Sequence, residues 1–505
     1  MIPGQSGFAP VANSRPLPLG EIRILPWEDF HANLLQAVSR GGRVAALFGM
    51  SPHGENQLFL VLADDTDNKL WLARTRLEGP SFPSLTPSCP QVHLFEREIA
   101  EQRGWAPQGH PWLKPVRFSF AFRSGPAAPE AAPTIGVTDF YRVEGDEIHE
   151  VAVGPVHAGV IEPGHFRFQC HGEEVLHLEI SLGYQHRGVE RALIGGPDKR
   201  SIHYMETLAG DSTAAHSTAY CQVMEALGRC KEPARSQVIR GIALELERIA
   251  NHVGDLGALS GDVGFLPTAS FCGRLRGDFL NMTALLCGNR FGRGLARPGG
   301  VRFDLSTELA EELLQRLDSV ESDLASAVNL LWDTPSVMAR FEGAGPLLKE
   351  DAAELGIVGP AARASGLLRD TRHDQPWGIY RFVHIPVSTG GPGDVFARAH
   401  VRWLEVQRSM AFVREQLRTL PGGPHRAECG SLAPESVCVS LVEGWRGEVC
   451  HVAVTDSEGH FLAYKVVDPS FHNWTGLALA LRNQQISDFP LCNKSFNLSY
   501  CGHDL

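Results

Sequence analysis

The sequence predicts an α+β protein with two unequal parts. The first is a small N-terminal α+β domain with an antiparallel sheet, and the second is a large, mainly α-helical domain with short peripheral β-strands. Three observations lead to this class: apolar runs bounded by turn residues before residue 124, a Pro/Ala-rich segment at 124–133, and long apolar stripes of helical spacing after residue 200. The predicted boundaries are 1–123, a connection at 124–145, and 146–505.

Three apolar runs predict the N-terminal sheet. Residues 43–49 and 57–63 are typical of buried strands, and residues 71–77 indicate a third strand. The segment at 124–133 is interpreted as a linker, because Pro removes backbone donors and small side chains bury little apolar surface.

Three long segments carry the helical pattern of the second domain. Residues 234–259, 307–332 and 394–420 repeat apolar side chains every three or four positions, and Pro421-Gly422-Gly423 ends the third segment. Amphipathic helices of this length pack as a bundle. Strands are expected at 146–180 and again at 440–467, where Gly459 predicts a hairpin turn.

Composition excludes several classes of protein. Of 505 residues, 21% are charged and 43% hydrophobic, which is ordinary for a globular protein, and the net charge of −12 excludes bulk attraction to nucleic acid. No run approaches the roughly 20 apolar residues of a membrane helix. Residues 1–18 do not have the basic and apolar regions of a signal peptide. The expected location is therefore the cytoplasm, with membrane attachment only through other subunits.

The eleven cysteines are scattered, and none forms a Cys-x-x-Cys pair. An iron–sulfur or zinc site built by this chain alone is not expected, since such sites usually show paired spacings. Buried free thiols are the expected state. No glycine-rich phosphate loop follows a predicted strand, so direct NADH binding has no support.

Motifs in the N-terminal domain resemble the 30-kDa subunit of respiratory complex I. The matching segments are 82–87, 95–98 and 109–115, which carry its Glu-Arg-Glu and Gly-His-Pro signatures. In this family an acidic residue and a Phe-Gly-Ile segment usually follow Glu-Arg-Glu. This chain has Glu101-Gln102-Arg103-Gly104-Trp105 at that place. The charges of Glu96, Arg97 and Glu98 form either a solvated surface or an interface.

The second domain resembles the 49-kDa subunit of complex I, and more closely the large subunit of energy-converting [NiFe] hydrogenases of the formate-hydrogenlyase type. The resemblance covers roughly residues 40–505 and implies a hydrogenase-large-subunit-like fold. It rests on motifs that follow one another in the family's order: 154–157, 162–166, 183–191, 246–248, 297–302, 393–398, 443–448 and 468–474.

The resemblance also identifies a loss. Such hydrogenases hold nickel and iron through two Cys-x-x-Cys pairs, whose soft thiolates set the geometry and redox range of the centre. Aligned on 215–220 and on 495–497, the four positions hold Ala209, Ser212, Ser499 and Gly502, and Cys501 lies one residue out of register. The resemblance therefore implies a retained fold without metal ligands, so that no cofactor is bound by this chain alone.

In complex I the same fold closes a quinone cavity against a small subunit that carries a [4Fe–4S] cluster. His157 and Tyr204 are the residues of this chain that come nearest to the family's quinone-binding pattern. Ile161 stands where the family has a second histidine, and the family's tyrosine position falls near Gly210 rather than at Tyr204.

Seven further residues are candidates to line or border the former metal cavity. His186, Arg187 and Glu190 suit a hydrogen-bonded charge network, or else a structural ion cluster. His216 is either a proton carrier, because histidine titrates near neutrality, or a satisfied core histidine. Glu443 and Arg446 are explained equally well by a salt bridge and by a functional role. The last candidate is Asp504.

The resemblance implies a peripheral-arm subunit of a membrane-bound, ion-translocating oxidoreductase complex at the cytoplasmic face of the inner membrane. Its partners would be an iron–sulfur small subunit and antiporter-like membrane subunits, and its acceptor a quinone or an unknown molecule. One alternative is a non-redox scaffold that couples conformational changes. Another is an NADH-quinone oxidoreductase or hydrogenase-like catalytic subunit, and bound nickel would identify an active hydrogenase. Whether the chain is itself an enzyme is left open.

Overall fold

The computed structural model describes residues 7–120, 122, 134–156 and 162–505. It confirms the predicted α+β class. The candidate His157 and most of the predicted linker lie outside the described residues. The boundaries at 123 and 146 remain predictions.

The N-terminal part is a sheet with two helices. Order within the sheet is β1-β6-β5-β4, with β3 beside β6, and β4, β5 and β6 confirm the three predicted strands. All residues of β4 and β5 are buried, as expected for strands covered on both faces. Within the described residues the elements are β1 (Ala9–Val11), β2 (Pro16–Pro18), β3 (Ile24–Leu25), α1 (Trp27–Ser39), β4 (Arg43–Met50), β5 (Gln57–Asp64), β6 (Lys69–Arg76), β7 (Ser81–Pro83), α2 (His93–Arg103) and β8 (Ala106–Gln108).

The larger part begins with a three-stranded sheet and continues mainly as helices. Its elements are β9 (Ile148–Val153), β10 (His165–His171), β11 (Glu174–Ser181), α3 (Val189–Leu193), α4 (Ser201–Met205), α5 (Thr213–Leu227), α6 (Ala234–Asp262), α7 (Leu266–Cys287), β12 (Ala296–Arg297), β13 (Gly300–Val301), α8 (Thr307–Trp332), α9 (Pro335–Phe341), α10 (Lys349–Glu354), α11 (Gly359–Ala364), α12 (Thr371–Asp374), α13 (Val395–Arg418), β14 (Ser436–Gly444), β15 (Gly447–Thr455), β16 (Phe461–Val467), α14 (Pro469–Ala480), α15 (Phe489–Phe496) and α16 (Tyr500–Asp504).

Helices α6, α8 and α13 are the three predicted long helices, and they form a bundle together with α7, which the apolar spacing did not single out. Helix α6 packs against α7 and α13, and α7 packs against α8. The predicted starts of two helices are confirmed by their caps: Ser306 Oγ accepts a hydrogen bond from the Leu309 N–H at 3.2 Å, and Asp394 Oδ1 accepts one from the Ala397 N–H at 2.8 Å. None of the described helices combines the length and the hydropathy needed to cross a bilayer.

A second sheet joins the two parts of the chain. Its order is β16-β15-β14-β2, all antiparallel, so a strand from the N-terminal part completes a sheet from the C-terminal part. Apolar side chains of β5 and β14, such as Phe59 and Val439, belong to one continuous core. Gly459 lies in the predicted turn before β16, with φ +86°. The structure adds that β14 and β15 are buried along their full length, because the N-terminal part covers one face of these strands and α5 packs on the other.

The Glu-Arg-Glu signature lies inside this junction, so the interpretation as a solvated surface is wrong. Glu96 is fully buried and accepts hydrogen bonds from the Leu85 N–H at 2.7 Å and from Thr86. Glu98 forms an ion pair with Arg117 and accepts 2.6 Å hydrogen bonds from Lys465 of β16. The signature therefore makes an interface within one chain.

Candidate functional site

The two loops that carry the former thiolate positions meet at the tip of the β14–β15 hairpin. Residues 209–212 lead into α5, and residues 497–499 lead into α16, whose first turn contains Gly502. The hairpin turn is Trp445-Arg446, between the paired glycines 444 and 447. Gly447 has φ +135°, and a Cβ there would lie 2.9 Å from the Gly359 backbone, so the turn accepts only glycine.

Arg446 links the two loops. Its Nη atoms donate to the Asp211 carboxylate at 2.6 and 2.8 Å, and Nη1 also donates to Ser212 Oγ at 3.3 Å. Its Nε donates to the Asn497 carbonyl at 2.6 Å. One guanidinium therefore holds together the segments that, in the resemblance, are held by metal.

The surroundings keep Arg446 charged. Burial opposes the charge, but the Asp211 carboxylate outweighs it and raises the pKa of the guanidinium above its ordinary value. The Arg446 Cζ lies 3.9 Å from the centre of the Trp445 ring, a cation–π contact. The side chain of Arg446 is 6% exposed and that of Asp211 is 31% exposed, so the pair faces solvent through its carboxylate.

Asp468 occupies the space beside the fourth former ligand position. A Cβ built on Gly502 would lie 2.7 Å from both Cγ and Oδ2 of Asp468, which is closer than real contacts allow. Asp468 is held there as the cap of α14, since its Oδ1 accepts a hydrogen bond from the Ser470 N–H at 2.8 Å. A side chain at 502 therefore requires Asp468 to move.

These side chains do not match a nickel–iron centre held by thiolates. A guanidinium stands between the loops, a carboxylate stands beside Gly502, and the remaining positions offer a methyl group and two hydroxyls. Among the described residues, no group of three or more His, Cys, Asp or Glu side chains is placed to hold a metal ion. All eleven cysteines are free thiols, and eight are buried.

His216 begins a buried chain of hydrogen-bonding side chains. On α5, its Nε2 lies 3.0 Å from Asp468 Oδ2, and its Nδ1 lies 3.1 Å from Nε2 of His451. The other ring nitrogen of His451, on β15, lies 2.9 Å from the Tyr464 hydroxyl on β16. All four side chains are buried.

Burial favours the neutral forms of the histidine and the tyrosine at the far end of this chain. It lowers the pKa of His451 far below its ordinary value, with a contribution from His216, and it raises the pKa of Tyr464. Burial opposes ionisation of Asp468, but His216 and Arg446 outweigh it and lower the pKa of that carboxyl. Both interpretations of His216 stay open, because its ring is fully hydrogen-bonded and also belongs to a continuous row of titratable groups.

Three predicted residues meet at the C-terminal segment. His186 Nδ1 lies 2.7 Å from the Asp504 carbonyl, and the Asp504 carboxylate accepts from the N–H groups of Gly183 and Gln185. Arg187 donates to the Leu208 carbonyl at 2.9 Å and to the Cys501 carbonyl at 3.0 Å. Arg187 thus makes a second connection between the two former thiolate loops. Burial lowers the pKa of His186.

The remaining predicted residues lie elsewhere. Glu190 pairs with Lys465 at 3.0 Å, in the cluster that also contains Glu98. Glu443 accepts from Arg363 at 2.7 Å in a buried network of charges behind the hairpin. Tyr204 packs at the edge of an apolar cluster, and no hydrogen bond joins it to His186, His216 or Asp504.

Sequence reasoning missed several residues of this site. Asp211 stands between the two former cysteine positions, and Asp468 opens the Asp-Pro-Ser-Phe motif, so both carried a signal. Glu247 lies in the Leu-Glu-Arg motif and accepts from the Ala214 N–H at 2.7 Å, while burial raises its pKa to about 8. The only sequence signal for His451 is its place in an apolar strand. No sequence signal indicates Tyr464.

Comparison with known proteins extends the resemblance. A family described as respiratory-chain NADH dehydrogenase, 49 Kd subunit, matches residues 262–435. Formate hydrogenlyase subunit 5 of Escherichia coli (strain K12) is 31% identical over 483 residues, which cover 91% of this chain and 84% of that protein. Carbon monoxide-induced hydrogenase of Rhodospirillum rubrum is 30% identical over 69% of this chain and 97% of its own length.

A quinone-linked relative is nearly as similar. NADH-quinone oxidoreductase subunit 4 of Thermus thermophilus is 29% identical over 68% of this chain and 90% of that protein. The similarity to formate hydrogenlyase subunit 5 spans both predicted domains. This chain therefore belongs to the family that unites the large subunits of group 4 [NiFe] hydrogenases with the 49-kDa subunit of complex I.

Proposed function

We propose that this chain is the peripheral-arm subunit of a membrane-bound, ion-translocating oxidoreductase complex, in which a metal-free site replaces the nickel–iron centre. Its relatives are subunits of hydrogenase-related and complex I-like assemblies, which supports the general role. The observation that carries the metal-free site is Arg446, whose guanidinium links the two former thiolate loops.

The proposed partners are an iron–sulfur small subunit and antiporter-like membrane subunits, which attach the chain to the cytoplasmic face of the inner membrane. The [4Fe–4S] cluster belongs to the small subunit. An acceptor, with quinone as the first candidate, binds between the two subunits. Two-electron reduction of a quinone takes up two protons, and His216, which is hydrogen-bonded to Asp468, is the proposed proton carrier of this chain.

The test uses the purified complex. We expect reduction of quinone analogues, no hydrogen uptake and no stoichiometric nickel. Arg446→Gln and His216→Gln should each lower turnover at least about tenfold while the complex still assembles. His460→Gln, at an exposed histidine, is the matched control and should leave turnover unchanged. Stoichiometric nickel with hydrogen uptake would overturn the proposal.

A second candidate function, the non-redox scaffold, is favoured by one observation. The polar groups of Arg446, His216 and His451 are satisfied by partners within the chain, as expected of structural residues. A scaffold predicts no turnover with any quinone analogue, and it predicts that Arg446→Gln impairs assembly instead of rate.

A further inference from the structure

A surface cleft of about 540 Å³ lies where three distant segments of the chain meet. These segments are residues 14–16 beside β2, residues 222–237 around the α5–α6 connection, and residues 377–381. Asp211, Arg446 and Asn497 do not line the cleft, so it is separate from the site described above. Its volume is within the range of roughly 300–1,000 Å³ that is usual for small-molecule sites.

Four basic side chains line the cleft: Arg15, Arg229, Lys231 and Arg381. No ion pair joins any of them to a described acidic residue. The two carboxylates in the lining are already engaged, since Glu225 and Glu232 pair with Arg240 at 2.6 and 2.8 Å. A chain of net charge −12 thus holds a concentrated positive region here.

Arg15 and Arg381 lie near enough for their positive charges to repel each other. Burial, and then the nearby charge of Arg15, lower the pKa of Arg381. Like charges placed this close are stabilised by an anion between them. The cleft therefore favours a negatively charged occupant.

The start of a helix adds to this preference. Helix α6 begins beside the cleft, after Pro233, which provides no side-chain cap, and the start of a helix favours negative charge.

We propose that this cleft binds a small phosphate-bearing anion. Guanidinium forks and an ammonium are the side chains that match phosphate oxygens. Recognition here rests on side chains from three segments, which is consistent with a sequence that has no glycine-rich phosphate loop. This inference does not depend on the proposed redox role.

The test measures binding of inorganic pyrophosphate to the full chain by calorimetry at fixed ionic strength. We expect saturable binding at one site. The double variant Arg229→Gln/Lys231→Gln should weaken it at least about tenfold, because two charge-assisted contacts are lost.

The matched control is Arg274→Gln/Arg316→Gln, which removes the same charge from exposed positions on α7 and α8. This variant should bind pyrophosphate as the unmodified chain does. Equal loss in both double variants would show non-specific attraction, and the absence of saturable binding would also overturn the proposal. Citrate separates phosphate from carboxylate recognition, and tighter binding of citrate than of pyrophosphate would contradict the proposed class.

Discussion

Glu443 and Arg446 lie three residues apart at one hairpin tip, yet they belong to two different kinds of charged region. Glu443 belongs to the buried network, which we define as Glu245, Arg248, His252, Arg363, Asp370, Arg372, Glu405 and Glu443. The nitrogen–oxygen distances of its ion pairs range from 2.6 to 3.8 Å, and nearly all its side chains are inaccessible to solvent. Arg446 instead joins two loops, and its Asp211 partner is partly exposed.

The difference lies in how far solvent reaches the charges. Each charge of the buried network faces partners of opposite sign, and the network fixes α6, α11 and α13 against β14. At the hairpin turn, the Asp211 side chain is 31% exposed, so solvent reaches the Asp211–Arg446 pair. Charge alone therefore does not identify a buried cluster as a functional site.

The largest expected effect breaks the buried network. Burial opposes ionisation of Glu405, but Arg363 and His252 hold its pKa well below the ordinary value. Glu405→Gln leaves Arg363 and Arg248 without their shared carboxylate, and we expect a loss of about 3–5 kcal/mol in the free energy of unfolding, measured in urea. The same substitution at Glu312, in an exposed pair with Arg316, should change it by less than about 0.5 kcal/mol. A small loss at Glu405 would remove the distinction between the two regions.

A smaller effect is expected where Arg446 joins the loops. Arg446→Gln removes three charge-assisted hydrogen bonds, and we expect a loss of about 2–3 kcal/mol because part of the pair is solvated. Hydrogen exchange should accelerate at 209–213 and at 497–502, while amides of α6 stay protected. Uniform acceleration throughout the chain would contradict a local linking role.

The next prediction concerns the former ligand position beside Asp468. Gly502→Ala places a methyl group against the Asp468 carboxylate, and we expect a loss of about 1–2 kcal/mol in the free energy of unfolding. Gly210→Ala is the matched control in the other loop, since the nearest atom there is 3.9 Å away at the end of Arg293. Gly502→Ala without loss of stability would mean that Asp468 moves freely.

The final prediction is a gradual pH dependence. Burial raises the pKa of Glu247 from 4.5 to about 8, so its contribution to stability is complete below pH 4.5 and is lost as the pH rises through about 8. Glu247→Gln removes this dependence. Relative to the variant, the unmodified chain should lose up to about 1.4 kcal/mol for each pH unit across this window in urea titrations. Glu311→Gln, on an exposed part of α8, should follow the unmodified chain, and parallel curves for Glu247→Gln would contradict the shifted pKa.

Local patterns were sufficient for the secondary structure. The predicted strands at 43–49 and 57–63 and the helix at 307–332 agree with β4, β5 and α8, because alternation and helical spacing depend on neighbouring residues. The pairing partners were not predictable in this way. His216 meets His451 across 235 positions, and no periodicity relates their two elements.

The family, the α+β class and the absence of thiolates at residues 209, 212, 499 and 502 can be recognised from residue identity and order alone. The side chains that stand in that space instead could be found only from the folded chain. Arg446 reaches both loops because the hairpin turn projects it between them, and Asp468 fills the place beside Gly502 because the start of α14 fixes it there. Such contacts depend on how distant segments pack, which no local pattern encodes.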